Sequence, residues 1–275
     1  GKLFFSHAKR NVSYVVACLD SRPLDCYNSA DAAAFRQWLS DKGLGNTSVV
    51  RVFSVVKAIV NFCIKELGLD CKNAFLGIYL PSEKSKRRHP IKDIKLKKLQ
   101  KECVLLDDDI RWLVALISDT GMRLSEAVGL LVDDLVIDAQ QPYVNLIAHP
   151  HRRLKTDSSE RLIPLVGSSL WAAQRIKQTQ NSSFCFERYC DTDNCNSNSA
   201  SAAINKWIKT IAGTEAVIHG FRHGFRDRLR AVEAPVDMID QLGGWSLRSV
   251  GQGYGDGYPL DLLSRWMEKI VLPQF

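Results

Sequence analysis

Two arginines, a lysine, a histidine, an indole and a phenol follow one another along this chain as Arg123, Lys155, His219, Arg222, Trp245 and Tyr254. Such a set can open a phosphodiester without a metal ion. A guanidinium forks onto two phosphate oxygens and keeps its charge. Fixed positive donors aimed at the equatorial oxygens of a five-coordinate phosphorus stabilise that state. A phenol can attack the phosphorus and hold the phosphate covalently, dividing one displacement into two. The departing alkoxide needs a proton, which a lysine can give. An imidazole can accept the phenolic proton or donate to a phosphate oxygen. An indole N–H can only donate.

Each of these residues has plainer neighbours. Arg226, Arg228 and Arg230 follow Arg222 on the same segment and read as surface ion pairs, and His223 reads as structural. Arg152 and Arg153 compete with Lys155, and Tyr258 competes with Tyr254 inside Gly251-Gln-Gly-Tyr-Gly-Asp-Gly-Tyr-Pro259. Tyr258 precedes a proline, which biases it to extended backbone and makes it look like the start of the last helix. Glu126 lies three residues after Arg123, on one helical face, where it can orient a catalytic side chain.

Order and context together are more specific than any one residue. They resemble the tyrosine recombinase (phage integrase) family. Its pattern is an arginine in Thr-Gly-x-Arg-x-x-Glu, a lysine in a β-hairpin, His-x-x-Arg, a His or Trp, and a tyrosine nine residues later. Tyr254 stands nine residues after Trp245, and the motifs span residues 120–254. The upstream segment resembles the family's core-binding domain only loosely. The resemblance implies that Arg123 and Arg222 clamp the phosphate, Lys155 acts as general acid, and Tyr254 attacks to give a 3′-phosphotyrosine and a free 5′-hydroxyl. It implies no metal, no cofactor and no ATP. It implies double-stranded DNA carrying a specific recombination site and a homotetramer on paired sites. Strands would exchange through a Holliday junction, with room for accessory DNA-bending proteins. A DNA-associated cytoplasmic setting, prokaryotic or encoded by a mobile element, goes with it, and an arm-binding domain ahead of Gly1 is compatible with it. A type IB-like topoisomerase, or a catalytically silent DNA-binding protein, is the alternative.

The elements that must position these groups read as mainly α with a small antiparallel β-sheet. That means a helical core-binding domain at 1–80, a basic linker at 81–102, and an α+β catalytic domain at 103–275. A helix starting near Ser29 stops at Asp41-Lys42-Gly43, and a longer one opens at Asn46-Thr47. In the latter Val49, Val52, Phe53, Val56, Ile59, Val60 and Cys63 recur at three and four, an amphipathic spacing. Asp107-Asp-Asp-Ile110 caps a helix broken by Asp119-Thr-Gly121, and Leu124–Leu131 follows, with Arg123 at its head. Residues 143–147 and 161–165 read as strands, which puts Lys155 on a hairpin edge or turn. Asn181–Ser199 reads as a loop. Leu260, Leu263, Trp266, Met267 and Ile270 make a terminal amphipathic helix. Its plain role is packing on its own domain; the resemblance implies docking on a neighbouring protomer.

Eight cysteines are scattered, and free thiols are the expectation. Cys185, Cys190 and Cys195 cluster, but without the second matched pair usual for zinc, so no metal site is expected. No uninterrupted run approaches the roughly 20 apolar residues of a membrane span, and no membrane partner is expected. The net charge of +7 is uneven: residues 1–102 hold 19 Lys+Arg against 9 Asp+Glu, and the remainder 18 against 21. Between Lys84 and Lys101 nine basic residues face one acidic residue, Asp93. A basic half joined to a basic connector suits a chain lying along DNA, since each neutralised phosphate releases counterions. Lys84, Lys86, Arg87 and Arg88 in the connector, and Arg36 and Lys57 in the first helices, are the DNA-contact candidates. Replacing the four connector residues by alanine is expected to weaken DNA binding across sequences and to flatten its salt dependence. A titration at several salt concentrations checks this; an unchanged slope would leave the run a solvated linker.

Overall fold

A computed structural model describes residues 2–81, 89–179, 181–245 and 257–273. Lys84, Lys86, Arg87, Arg88 and Tyr254 lie outside these residues. The chain forms two compact units, Gly1–Arg87 and Arg88–Phe275.

The first unit is helical: α1 (Lys2–Leu19), α2 (Ser29–Asp41) and α3 (Asn46–Glu66). The N-cap of α2 is Asn28 rather than Ser29, because its side-chain oxygen accepts from the amides of Ala30 and Asp31 while Asp31 reaches back. Phe35, Phe53 and Phe75 form the centre, joined by Val49, Val52, Val56 and Val60 from the apolar stripe of α3. By length and composition α3 is apolar enough to cross a membrane, with a mean hydropathy of 1.7 over its best window. In the fold, one stripe of this helix, Val49, Val52, Phe53, Val56 and Val60, lies in the core of this unit. Arg36 is half-buried and donates to the Tyr79 carbonyl at 2.8 Å, so its charge is partly engaged within the unit. Lys57 is half-buried on α3.

The second unit begins earlier than its charge suggests. Residues 93–102, assigned to the linker, belong to α4 (Asp93–Leu106), whose Leu96, Leu99, Gln100 and Cys103 are buried. Lysines on the outer face concealed that inner stripe. Helices α5 (Asp109–Thr120), α6 (Leu124–Val128), α7 (Gly167–Thr179), α8 (Ser197–Ala212), α9 (His219–Ala231), α10 (Val236–Gly243) and α11 (Leu260–Glu268) complete the described helical set. Strands β1 (Leu135–Val136), β2 (Tyr143–Leu146) and β3 (Arg161–Pro164) form one antiparallel sheet in the order β1-β2-β3. Tyr143 pairs with Pro164 and Leu146 with Arg161. Helix α5 is buried along most of its length and is the centre of this unit. The sheet and helices match the mainly α, small-antiparallel-sheet expectation.

The apolar face of α11 packs within its own unit, where Leu263 and Met267, with Ile270 just beyond the helix, join Phe225, Leu229 and Leu242. Two expectations change. Cys190 and Cys195 are joined by a disulfide, not free. The Asp191 side chain accepts from the amides of Asp193 and Asn194, making a tight turn that brings the two cysteines together. Arg228 is no surface residue: it is 7% exposed, pairs with Asp119 at 2.8 Å, and donates to the Ser118 and Ile270 carbonyls. Burial pushes the Asp119 carboxyl up, and the Arg228 charge opposes that shift. Arg228→Ala would leave this carboxylate buried and uncompensated. It is expected to destabilise the chain by about 3–5 kcal/mol, measured by urea unfolding; a surface arginine would change stability by no more than about 0.5 kcal/mol.

Candidate active site

Helix α6 begins where Gly121 ends α5 in the left-handed region, and Arg123 is its N-cap residue. The Glu126 carboxylate accepts from the Arg123 backbone amide at 2.9 Å and from its guanidinium. Its other partner comes from β3: Arg161 donates to Glu126 Oε2 at 3.1 Å. Burial alone would raise the Glu126 carboxyl, but the Arg161 charge and then the bonds from Arg123 outweigh it and hold it below the ordinary range. Arg123 also donates to the Ser159 hydroxyl at 3.0 Å. One carboxylate thus binds two arginines.

Arg222 approaches from α9. The first turn of this helix contains Gly220, and Gly224 follows four residues on; a Cβ at either would meet the backbone of His89 or Ile91 at about 3 Å. Without side chains at these positions the 89–91 segment lies against α9, and Ile91 donates to the Gly220 carbonyl. Arg222 is 5% exposed and donates to the Gly121 carbonyl at 2.7 Å. Burial first, then the charges of Arg123 and Arg161, push its guanidinium down to about 9, which leaves it charged at neutral pH.

The three arginines meet at the end of α10. Arg161 donates to the Leu242 carbonyl at 2.9 Å, Arg222 to that of Gly243, and Arg123 to that of Gly244 at 3.1 Å. The last carbonyls of a helix lack intrahelical partners and carry its negative dipole end. Here each is satisfied by a different cation. Gly244 holds φ at +59°, and a Cβ there would stand 2.6 Å from an Arg161 nitrogen, so both backbone and space call for glycine. Trp245 follows at once and is half-buried. Its ring lies between two guanidiniums, 4.3 Å from Arg222 and 4.5 Å from Arg226, a face-on cation–π contact on top of any N–H bond. Arg226 also pairs with Asp240 at 2.9 Å.

Lys155 is exposed in the connection between β2 and β3. Arg152, three residues before it, is buried and donates to the Glu126 carbonyl at 2.9 Å. Thr156 contacts the Ser159 hydroxyl at 3.0 Å, the same hydroxyl that receives Arg123. The segment carrying Lys155 is therefore pinned on both sides to the Arg123 neighbourhood. His219 is exposed at the first position of α9, its ring edge-on to that of His223 at 5.0 Å, and His223 is exposed as well. Tyr258 is engaged elsewhere. Its hydroxyl donates to Asp237 at 2.9 Å, and burial together with that carboxylate raises its phenol.

Arg161 and Ser159 were missed among the candidates, because nothing in the motifs points to them. The available signal was a charged residue alternating with buried positions along a strand: Arg161 and Ile163 face inward while Leu162 faces out.

Arginines held at a helix end, with a lysine on a neighbouring hairpin connection, define a catalytic unit of the tyrosine recombinase type. A family model described as the phage integrase family matches residues 91–258, and the chain belongs to that family. Membership carries site-specific DNA recombination as its class of activity. The fold is similar to that of the Tn1549 transposon integrase, residues 82–397, solved with transposon right-end DNA. That likeness is 18% identical with a TM-score of 0.66, over 94% of this chain and 90% of that one. A lambda integrase dimer bound to a COC′ core site is similar at 15% identity and a TM-score of 0.68, over 94% and 74%. A lambda integrase tetramer bound to a Holliday junction is similar at 13% identity and a TM-score of 0.66, over 93% and 72%. No curated protein matches the chain in sequence.

Glu126→Gln keeps the side-chain shape but leaves Arg161 and Arg123 without their counter-charge. The expected loss is about 3–5 kcal/mol in urea unfolding. Because the folded-state value of Glu126 lies below the unfolded one, its contribution is complete above the ordinary glutamate range of about 4.3 and fades as pH falls through the lower folded value. The stabilities of parent and variant should therefore converge toward acid.

Proposed function

We propose that this chain cleaves and rejoins double-stranded DNA at a specific site through a 3′-phosphotyrosine, exchanging strands through a Holliday junction on paired sites. The observation that carries the reading is the convergence of Arg123 and Arg222 on adjacent carbonyls at the end of α10, next to Trp245. Two fixed guanidiniums side by side suit the equatorial oxygens of a phosphorane. Tyr254 Oη attacks the phosphorus, forming the O–P bond as the bond to the 5′-oxygen breaks. His219 takes the phenolic proton, and Lys155 gives one to the leaving oxygen. Rejoining reverses these steps; the phosphotyrosine conserves the bond, so no ATP is needed, and the charge stabilisation a divalent cation could give is assigned to the arginines. The raised, carboxylate-bound phenol of Tyr258 makes it the poorer nucleophile and favours Tyr254. Four protomers on two sites, a DNA-associated setting and a mobile-element origin accompany this reading, which the solved relatives on core-site DNA and on a junction support by analogy of fold.

A substrate with sulfur at the 5′-bridging position tests the assignment, because the thiolate leaves without a proton. Tyr254→Phe should give no covalent adduct on either substrate while still binding DNA, and Tyr258→Phe should keep most activity. Lys155→Ala should be slow on ordinary DNA and largely restored by sulfur, with no magnesium added. Adduct mapped to Tyr258, or equal Lys155→Ala defects on both substrates, would overturn the corresponding role.

A further inference from the structure

A second chemically distinct cluster lies in the catalytic unit, apart from the arginines. His151, Cys190 and Cys195 bring one ligand atom each to within 4.8 Å of one another. His151 belongs to the β2–β3 connection that also carries Lys155; the cysteines flank the turn at 190–195. His151 Nε2 lies 3.0 Å from the Gly129 carbonyl. A carbonyl can only accept, so Nε2 carries the proton and Nδ1 of the neutral ring keeps its lone pair. Metal-binding histidines are held in this way, one nitrogen donating to a backbone carbonyl and the other free to coordinate. The ring is further fixed by stacking on His149 at 5.3 Å and by Phe184 edge-on at 5.0 Å. His149 is itself anchored on Asp134 at 2.9 Å.

We propose that, with Cys190 and Cys195 reduced, His151 Nδ1 and the two thiolates bind a zinc-class cation. In a tetrahedral site Zn–S is about 2.3 Å and Zn–N about 2.0–2.1 Å, so ligand atoms stand roughly 3.5–3.8 Å apart. The cluster has that scale once the sulfurs separate, and four residues between two cysteines is a spacing that zinc sites use. Among the described residues no fourth His, Cys, Asp or Glu joins the group, so one position is left to water. Binding requires both thiols to lose their protons. The disulfide is the metal-free form: converting one to the other moves two electrons, supplied by a thiol or phosphine reductant. The ion would staple the connection bearing Lys155 to the 190–195 turn, two segments far apart in sequence.

The test uses the full chain, reduced with a phosphine, cleared of metal and titrated anaerobically with cobalt(II) as the probe. The expected result is about one equivalent bound, with a thiolate-to-cobalt charge-transfer band and strong tetrahedral d–d bands, both displaced by zinc. Cys190→Ser with Cys195→Ser should abolish the charge transfer, and His151→Gln should weaken binding at least tenfold. Zinc should raise the melting temperature of the reduced parent and leave the serine pair unmoved. If the serine pair does not fold, His151→Gln alone decides, since its change touches no cysteine. A reduced parent that binds cobalt without charge transfer, or no more tightly than His151→Gln, would overturn the proposal.

Discussion

The carboxylate of Glu126 is the constraint on which the catalytic unit depends. It lies almost fully buried between Arg123 and Arg161, and without it these two cations, with Arg222 close by, would repel one another in a region of low dielectric. One negative charge is not enough for three positive ones. The balance comes from dipoles: the buried carbonyl end of α10 offers three consecutive acceptors, and each arginine takes one. A short helix that packs through Met238, Ile239 and Leu242 is therefore also an electrostatic partner of the site. The region keeps a residual positive character.

This arrangement gives Trp245 a meaning that its hydrogen-bonding capacity alone does not. Its ring separates Arg222 from Arg226 and offers each a π face, and Gly243 leaves the space the ring occupies. An aromatic between two guanidiniums keeps them apart and oriented at little cost in flexibility. A histidine at this position would offer a smaller ring and, when protonated, a further positive charge.

Much of this was legible in the residues, and the remainder was hidden for identifiable reasons. The spacing of Val49, Val52, Phe53 and Val56 fixed α3, and Asp119-Thr-Gly121 marked the end of α5, because both signals are local. The inner stripe of α4 was masked by its four lysines, Lys95, Lys97, Lys98 and Lys101. Motif order placed Arg123, Arg222 and Trp245 in one site, and the structure brings these three together at α10. The pairing of Glu126 with Arg161 spans 35 residues, and that of Asp119 with Arg228 spans 109. Such contacts exist only after the chain has folded, so a charged residue that becomes buried looks like any surface charge beforehand. The same holds for His151 and the 190–195 turn.

Helix α10 has one further consequence. Trp245 is bonded to its end through the Asp240 carbonyl, and Tyr258 returns to it through Gln241 and Asp237. Trp245 and Tyr258, thirteen residues apart in sequence, thus both rest on one helix. The arginines that grip the carbonyl end of α10 therefore hold the same helix that anchors Trp245 and Tyr258, so that a shift of this one helix would move all three guanidinium contacts and both of those residues together.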